Sequence, residues 1–151
     1  MNTLNNFNKE LSKITATISK YKRVAVLGVG NKLRGDDGVG SFVAERLSEF
    51  AGKSDNVLVV DCGATPENCM GLLVRFKPDC VVFIDAAEMG EKPGTIKLIN
   101  TAQVKGELVS THKLPLSLLT RFLTGMLGRV TVLLIGVQPS RENLCLGGSL
   151  S

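Results

Sequence analysis

The stretch from Arg23 to Gly40 reads RVAVLGVGNKLRGDDGVG, and it decides the fold. Its first seven residues, RVAVLGV, are mostly apolar and β-branched, which is typical of a buried strand. A glycine-rich loop follows, and a helical pattern then begins at about Val39 and continues to Phe50. A buried strand, a loop and a helix in this order predict the beginning of an α/β domain.

The same alternation continues along the chain. Helices are predicted at 67–76, where Pro66 suits a helix start, and at 115–127, which Gly128 ends. Strands are predicted in the segments NVLVVDC (56–62), CVVFIDA (80–86) and RVTVLLIGV (129–137). The segment GTIKLI (94–99) alternates in part and suits an antiparallel edge strand. We therefore expect an α/β fold in three layers, with a twisted, mostly parallel sheet of about five strands between helices and room for one antiparallel strand.

The chain is predicted to form a single domain over residues 1–151. Residues 1–20 form an extra N-terminal helix, because apolar residues recur there at spacings of three and four from Leu4 to Ile18. We expect this helix to pack on the flank of the domain. Residues 23–139 form the core, and 140–151 a loose tail.

Composition excludes several classes of function. The net charge is only +4, the basic residues are scattered, and the chain has no Trp and one Tyr, so we expect no nucleic-acid partner. No signal peptide and no membrane-spanning run is present, which favours a cytoplasmic protein without membrane contact. The four cysteines form no C-x-x-C pair, which favours reduced, packed thiols over a zinc site or a disulfide framework. They are Cys62, Cys69, Cys80 and Cys145.

The glycine loop departs from both common phosphate-binding patterns. Leu33 stands where a dinucleotide fingerprint needs its third glycine, and Asp36 and Asp37 stand where a P-loop needs Lys and Ser or Thr. Two carboxylates repel a phosphate, so the loop suits a cation or a backbone next to one. One of them can instead cap the following helix, and we assign that role to Asp36. Gly38 and Gly40 lie in the first helical turn, where a closely passing substrate backbone would account for them.

Three further polar residues belong with this loop. Asp61 ends the second predicted strand, Asp85 ends the third, and the single histidine, His112, precedes the last helix. Ligands of such sheets bind beyond the carboxyl ends of the strands. Asp37, Asp85 and His112 together would offer two oxygens and one imidazole to an ion such as nickel, with zinc not excluded. The alternatives are an Asx-type bond that ends the strand at Asp85 and an ordinary surface role for the histidine. A Cys62–His112 nucleophile pair is a weaker hypothesis, and no G-x-S-x-G elbow is present.

Five segments in order give the chain a family resemblance. They are GVGNKLRGDDGVG, DCGATPEN, FIDAAEMGEKPGTI, STHKLPL and IGVQP, between about Arg23 and Pro139. The chain resembles the hydrogenase maturation protease family, whose members process the large subunit of nickel-iron hydrogenases, and most of all the type that serves the formate-hydrogenlyase hydrogenase. The resemblance implies an endopeptidase that recognises nickel already inserted in the precursor and removes a C-terminal extension. We expect it to act as a monomer in the cytoplasm.

The resemblance also assigns residues. Asp37, Asp85 and His112 would contact the nickel and carry out catalysis, and Glu occupies the first of these positions in some members. Gly30, Asn31, Gly38 and Asp61 would line the substrate cleft. The nickel would come with the substrate and not be held tightly by the free protein. Two alternatives stay open, a non-catalytic nickel checkpoint that binds the precursor and a nucleotide- or phosphate-binding Rossmann-like module.

Overall fold

The structure is a computed structural model that describes residues 2–52, 54–103, 109–110 and 116–140. Within these residues the helices are α1 (Thr3–Ile18), α2 (Val39–Ala51), α3 (Met70–Phe76) and α4 (Leu116–Leu127). The strands are β1 (Val24–Gly28), β2 (Val57–Asp61), β3 (Cys80–Glu88), β4 (Ile96–Asn100), β5 (Val109–Ser110) and β6 (Thr131–Val137). Short 3-10 helices at Lys32–Gly38 and Pro66–Cys69 precede α2 and α3. The predicted elements are confirmed, although the segment predicted as one helix at 67–76 begins with a 3-10 turn.

The sheet has the predicted architecture. Its strands lie in the order β2-β1-β3-β6-β4, and the two-residue β5 pairs with the end of β3. β1, β2, β3 and β6 are parallel, whereas β4 runs antiparallel to β6. The antiparallel edge strand predicted from GTIKLI is therefore confirmed. Every residue of β3 except the last is buried, as expected for a central strand covered on both faces.

α1 lies on the flank of the domain, against β4. Its N-cap is Asn2, whose side chain accepts a hydrogen bond from the Leu4 amide. Glu10 on this helix accepts a hydrogen bond of 2.7 Å from the amide of Leu98 on β4. Ile18 and Tyr21 pack against the small core cluster beneath the helix. No residue of α1 is fully buried, so it covers the sheet edge and leaves the main core to other elements.

The main core lies on the other face of the sheet, under α3 and α4. Its largest fully buried side chains include Phe83 of β3, Leu73 of α3 and Leu123 of α4. A network around Arg23 closes the opposite end of the sheet from the glycine loop. The Arg23 guanidinium donates to the carbonyl oxygens of Phe76 and Asp55 and lies 4.2 Å from the centre of the Phe76 ring.

The cysteines correct one expectation. Cys62 and Cys69 form a disulfide with a Cα–Cα distance of 6.0 Å, so the prediction of reduced thiols is wrong for this pair. The turn that begins at Pro66 brings the two residues together across a sequence separation of 7, a contact that no C-x-x-C pattern announces. Cys80 is free and buried, and burial raises the pKa of its thiol to about 12, with a smaller contribution from Asp79. Cys80 is thus a packing residue, as predicted.

Candidate active site

The carboxyl ends of the central strands meet at one edge of the sheet. Gly28, the last residue of β1, pairs with Asp61 on one side and Ile84 on the other. Asp85 follows Ile84 and pairs with Gly136 of β6. This edge therefore brings Asp61 and Asp85 to either side of the loop that leaves β1, which is the arrangement predicted from the sequence.

The loop folds back on itself before α2 begins. Asn31 caps its 3-10 helix by accepting a hydrogen bond from the Leu33 amide, and its own amide donates to the carbonyl oxygen of Asp37. Gly35 interrupts the helix with a φ of 58°, a conformation that favours glycine. The result is a compact loop in which the residues from Gly35 to Gly38 are buried, while Leu33 is 70% exposed at its surface.

Two candidate metal-contacting carboxylates are buried at this edge. Asp37 is 4% exposed and Asp85 is 0% exposed. Both make electrostatic or hydrogen-bond interactions within the protein. Where the loop begins, the Val29 amide donates a hydrogen bond of 2.9 Å to the carbonyl oxygen of Ile84, the residue before Asp85. The loop that carries Asp37 and the strand that carries Asp85 are thus fixed to each other.

Asp36 does not cap α2, which corrects the role assigned to it from the sequence. The N-cap position belongs to Gly38, with no side-chain cap hydrogen bond. The Asp36 carboxylate is 5% exposed and accepts a hydrogen bond of 2.9 Å from the amide of Ser140, 104 residues away. It therefore links the loop to the chain that leaves β6.

Close packing against the protein's own backbone explains the glycines of the loop, and the sequence interpretation missed this. A Cβ on Gly40 would lie 2.1 Å from the carbonyl oxygens of Ile84 and Val29, so glycine lets α2 approach the sheet. Cβ atoms on Gly30 and Gly38 would meet the loop's own backbone at 2.6 to 3.0 Å. The explanation of Gly40 by a passing substrate backbone is wrong. That Gly30, Asn31 and Gly38 line the substrate cleft stays a prediction.

Asp61 lies in a polar cluster on the exposed side of the loop. Lys32 reaches it at 3.4 Å and also contacts Glu45 of α2 at 2.5 Å. The Gly63 amide donates to Asp61 Oδ1 at 2.9 Å. Burial acts to raise the pKa of Asp61, but hydrogen bonds from Ser41, Gly63 and Lys32 outweigh it and hold that pKa below its usual value. The pKa shift therefore favours the anionic form of Asp61.

The third candidate, His112, lies outside the described residues. The described chain approaches it through β5, in which Ser110 pairs with Ala87, two residues after Asp85. Among the residues that the structure describes, no three side chains of His, Cys, Asp or Glu gather as a metal site.

Gln138 is a buried polar residue beyond the carboxyl end of β6 that sequence reasoning missed, although it lies in the quoted segment IGVQP. It is 4% exposed, and its Oε1 accepts hydrogen bonds from the amides of Met89 and Glu91 at 2.7 and 3.3 Å. Its Nε2 donates to Glu88 Oε1 at 3.1 Å. Gln138 thus fixes the chain that leaves β3 against the chain that leaves β6.

Comparison with known proteins identifies the family of the chain. The family model of the hydrogenase maturation proteases of the HycI type matches residues 42–151. The chain belongs to the hydrogenase maturation protease family. It is a peptidase by this membership, and the predicted family and activity are confirmed.

Individual relatives agree with the family assignment. The chain is 34% identical over 115 residues to the hydrogenase 3 maturation protease of Escherichia coli K12. The aligned region spans 76% of this chain and 71% of the relative. The crystal structure of the nickel-iron hydrogenase maturation protease HycI from Thermococcus kodakarensis KOD1 superposes with a TM-score of 0.80 at 38% identity, over 91% of this chain and 86% of that one. The crystal structure of the hydrogenase 3 maturation protease gives a TM-score of 0.66 at 30% identity, over 85% and 80%. The two superpositions show that the chain shares the overall fold of these maturation proteases.

Proposed function

We propose that this protease recognises nickel in the precursor of a nickel-iron hydrogenase large subunit and removes the precursor's C-terminal extension. The observation that carries the proposal is the pair of buried carboxylates, Asp37 and Asp85, on two elements joined at the carboxyl edge of the sheet. Carboxylate oxygens in a site with little water attract a cation strongly. The nickel belongs to the substrate, whose own ligands complete its coordination.

His112 is the proposed third contact. It follows Ser110 by two residues, and two residues span at most about 7 Å. The described end of β5 is itself paired with β3 beside Asp85. We propose that its imidazole contacts the nickel beside that aspartate, where a nitrogen ligand would complement the two carboxylates.

The burial of Asp85 has a consequence for binding. Because that side chain has no exposed surface, the atoms that cover it must move before a metal in the substrate can reach it. We therefore place the contact in the complex with the precursor and expect free nickel to bind weakly. We further propose that the protein acts as a monomer in the cytoplasm. Within the described chain, no helix has the length and apolar character needed to cross a membrane.

The test follows the mass of the precursor. Purified precursor is incubated with the protein in nickel-loaded and nickel-free form, and intact masses are recorded over time. Only the loaded form should lose its extension. Equal cleavage of both forms would refute recognition through the metal, and binding without cleavage would favour the nickel checkpoint.

Variants test the site itself. Asp37→Ala should lower the cleavage rate at least about 100-fold, the loss typical of removing a group that acts on the reacting centre. Asp55→Ala is the matched control, because Asp55 is an exposed acid just before β2, at the opposite end of the strands. Full activity in Asp37→Ala would refute the site.

A further inference from the structure

Asp36, the residue before Asp37, attaches the glycine loop to the chain that follows β6. Asp36 is buried, and its Oδ2 accepts the Ser140 amide at 2.9 Å. Ser140 lies four positions beyond Gly136, and Gly136 is the strand partner of Asp85. The hydrogen bond thus connects the loop that carries Asp37 to the chain that leaves β6, the strand paired with the Asp85 strand β3.

Gln138 extends the same connection to β3. Gln138 lies between Gly136 and Ser140 in the chain. Its side chain accepts hydrogen bonds from the Met89 and Glu91 amides and donates one to Glu88. Its backbone is also held, because its amide donates to the Thr95 carbonyl oxygen at 2.8 Å. Ser140 is therefore attached to a fixed segment, and a hydrogen bond to it can fix the loop.

We propose that Asp36 is a positioning residue that sets Asp37 relative to Asp85 through its hydrogen bond to the Ser140 amide. This inference rests on the proposed function of Asp37 and Asp85. The acceptor residue of the hydrogen bond is only 5% exposed, and a hydrogen bond with limited access to water is stronger than the same bond in water. Losing it lets the loop shift against β6, and a shift on the order of 1 Å in a catalytic group reduces rates substantially.

Substitutions at both ends of the bond test the proposal. Asp36→Ala removes the acceptor, and Ser140→Pro removes the donor N–H while leaving the acid in place. Each should lower kcat/KM for nickel-loaded precursor about tenfold. The double variant should be no worse than Asp36→Ala, because Ser140→Pro removes nothing further once the acceptor is gone. Ser140→Ala keeps the N–H and should behave like the unaltered protein, and Asp36→Asn keeps an acceptor oxygen and should stay within about threefold of it.

A structural control separates positioning from loss of stability. Asp79 likewise accepts backbone amides, those of Lys22 and Arg23, but it precedes β3 at the opposite edge of the sheet. Asp79→Ala should lower the unfolding temperature without changing kcat/KM, measured well below that temperature. An equal loss of kcat/KM in Asp79→Ala would overturn the positioning role.

Other results of these variants would also decide whether Asp36 is a positioning residue. Unchanged kcat/KM in both Asp36→Ala and Ser140→Pro, or multiplied losses in the double variant, would overturn the proposal. A loss in Asp36→Asn equal to that in Asp36→Ala would show that the charge acts and not the hydrogen bond. Amide exchange of Ser140, measured by NMR in the free protein, should accelerate at least tenfold in Asp36→Ala. That measurement needs no precursor, so it separates failure of this inference from failure of the proposed function.

Discussion

The contact between α2 and the sheet gives the sharpest test of the fold, because it depends on one missing side chain. In Gly40→Ala the new Cβ would lie 2.1 Å from two carbonyl oxygens, those of Ile84 and Val29. Backbone atoms cannot rotate away as a flexible side chain can, so α2 must move by about 1 Å and the Val29–Ile84 hydrogen bond must stretch.

We expect Gly40→Ala to lower the free energy of unfolding by about 3 kcal/mol, at the upper end for overpacking of a core. For a domain of this size that corresponds to a fall of about 6 to 12 °C in Tm. The gain from replacing a helical glycine with alanine is at most about 1 kcal/mol and does not reverse the sign.

The assay is urea unfolding followed by circular dichroism at 222 nm, since the chain has no Trp to report by fluorescence. Gly125→Ala is the matched control. Gly125 lies inside α4, and no described atom lies within 4 Å of a Cβ placed on it. That variant should gain about 0.5 to 1 kcal/mol. If Gly40→Ala is as stable as the unaltered protein, the close approach of α2 is not what requires glycine.

Three further predictions concern stability. Cys69→Ala, which opens the bond to Cys62, should cost about 2 to 3 kcal/mol in the free energy of unfolding, and adding reductant to that variant should cause no further loss. The folded-state pKa of Asp61 lies below its unfolded value, so the contribution of this carboxylate to stability is present above the unfolded pKa and is lost as pH falls through the folded-state pKa. The difference in urea midpoint between the unaltered protein and Asp61→Asn should therefore shrink between about pH 6 and pH 3. A constant difference would contradict the pKa shift. Arg23→Lys should cost about 1 to 2 kcal/mol, since an ammonium cannot reproduce the forked hydrogen bonds to Phe76, and a neutral result would show that charge alone suffices.

Much of the fold follows from local sequence pattern. β1, β3 and β6 are buried on both faces, so their sequences are continuous apolar runs that a short window detects. β4 is half-buried throughout and alternates only in part, which suffices to mark an edge. Because carboxyl ends of parallel strands meet at one edge, the positions of Asp61 and Asp85 follow from the topology once the strands are known.

What the sequence did not reveal depends on how the chain folds back on itself. The partner of Asp36 is 104 residues away, so the local capping rule assigned it to the nearest helix. The Cys62–Cys69 bond depends on the turn at Pro66, which spacing alone does not determine. Gly40 meets two strands at once, a contact that appears only when the helix is placed on the sheet.

The contact between Glu10 and Leu98 gives α1 a protective role at the rim of the sheet. β4 is the outermost strand on its side, and an outermost strand offers free amides to any other chain that can pair with it. Glu10 occupies one of those amides, and α1 lies along the strand as a barrier. A chain shortened to begin at Tyr21 would retain the site and expose this strand. Its characteristic failure would be strand-to-strand self-association, visible as growing mass in light scattering, with the unaltered protein as the reference.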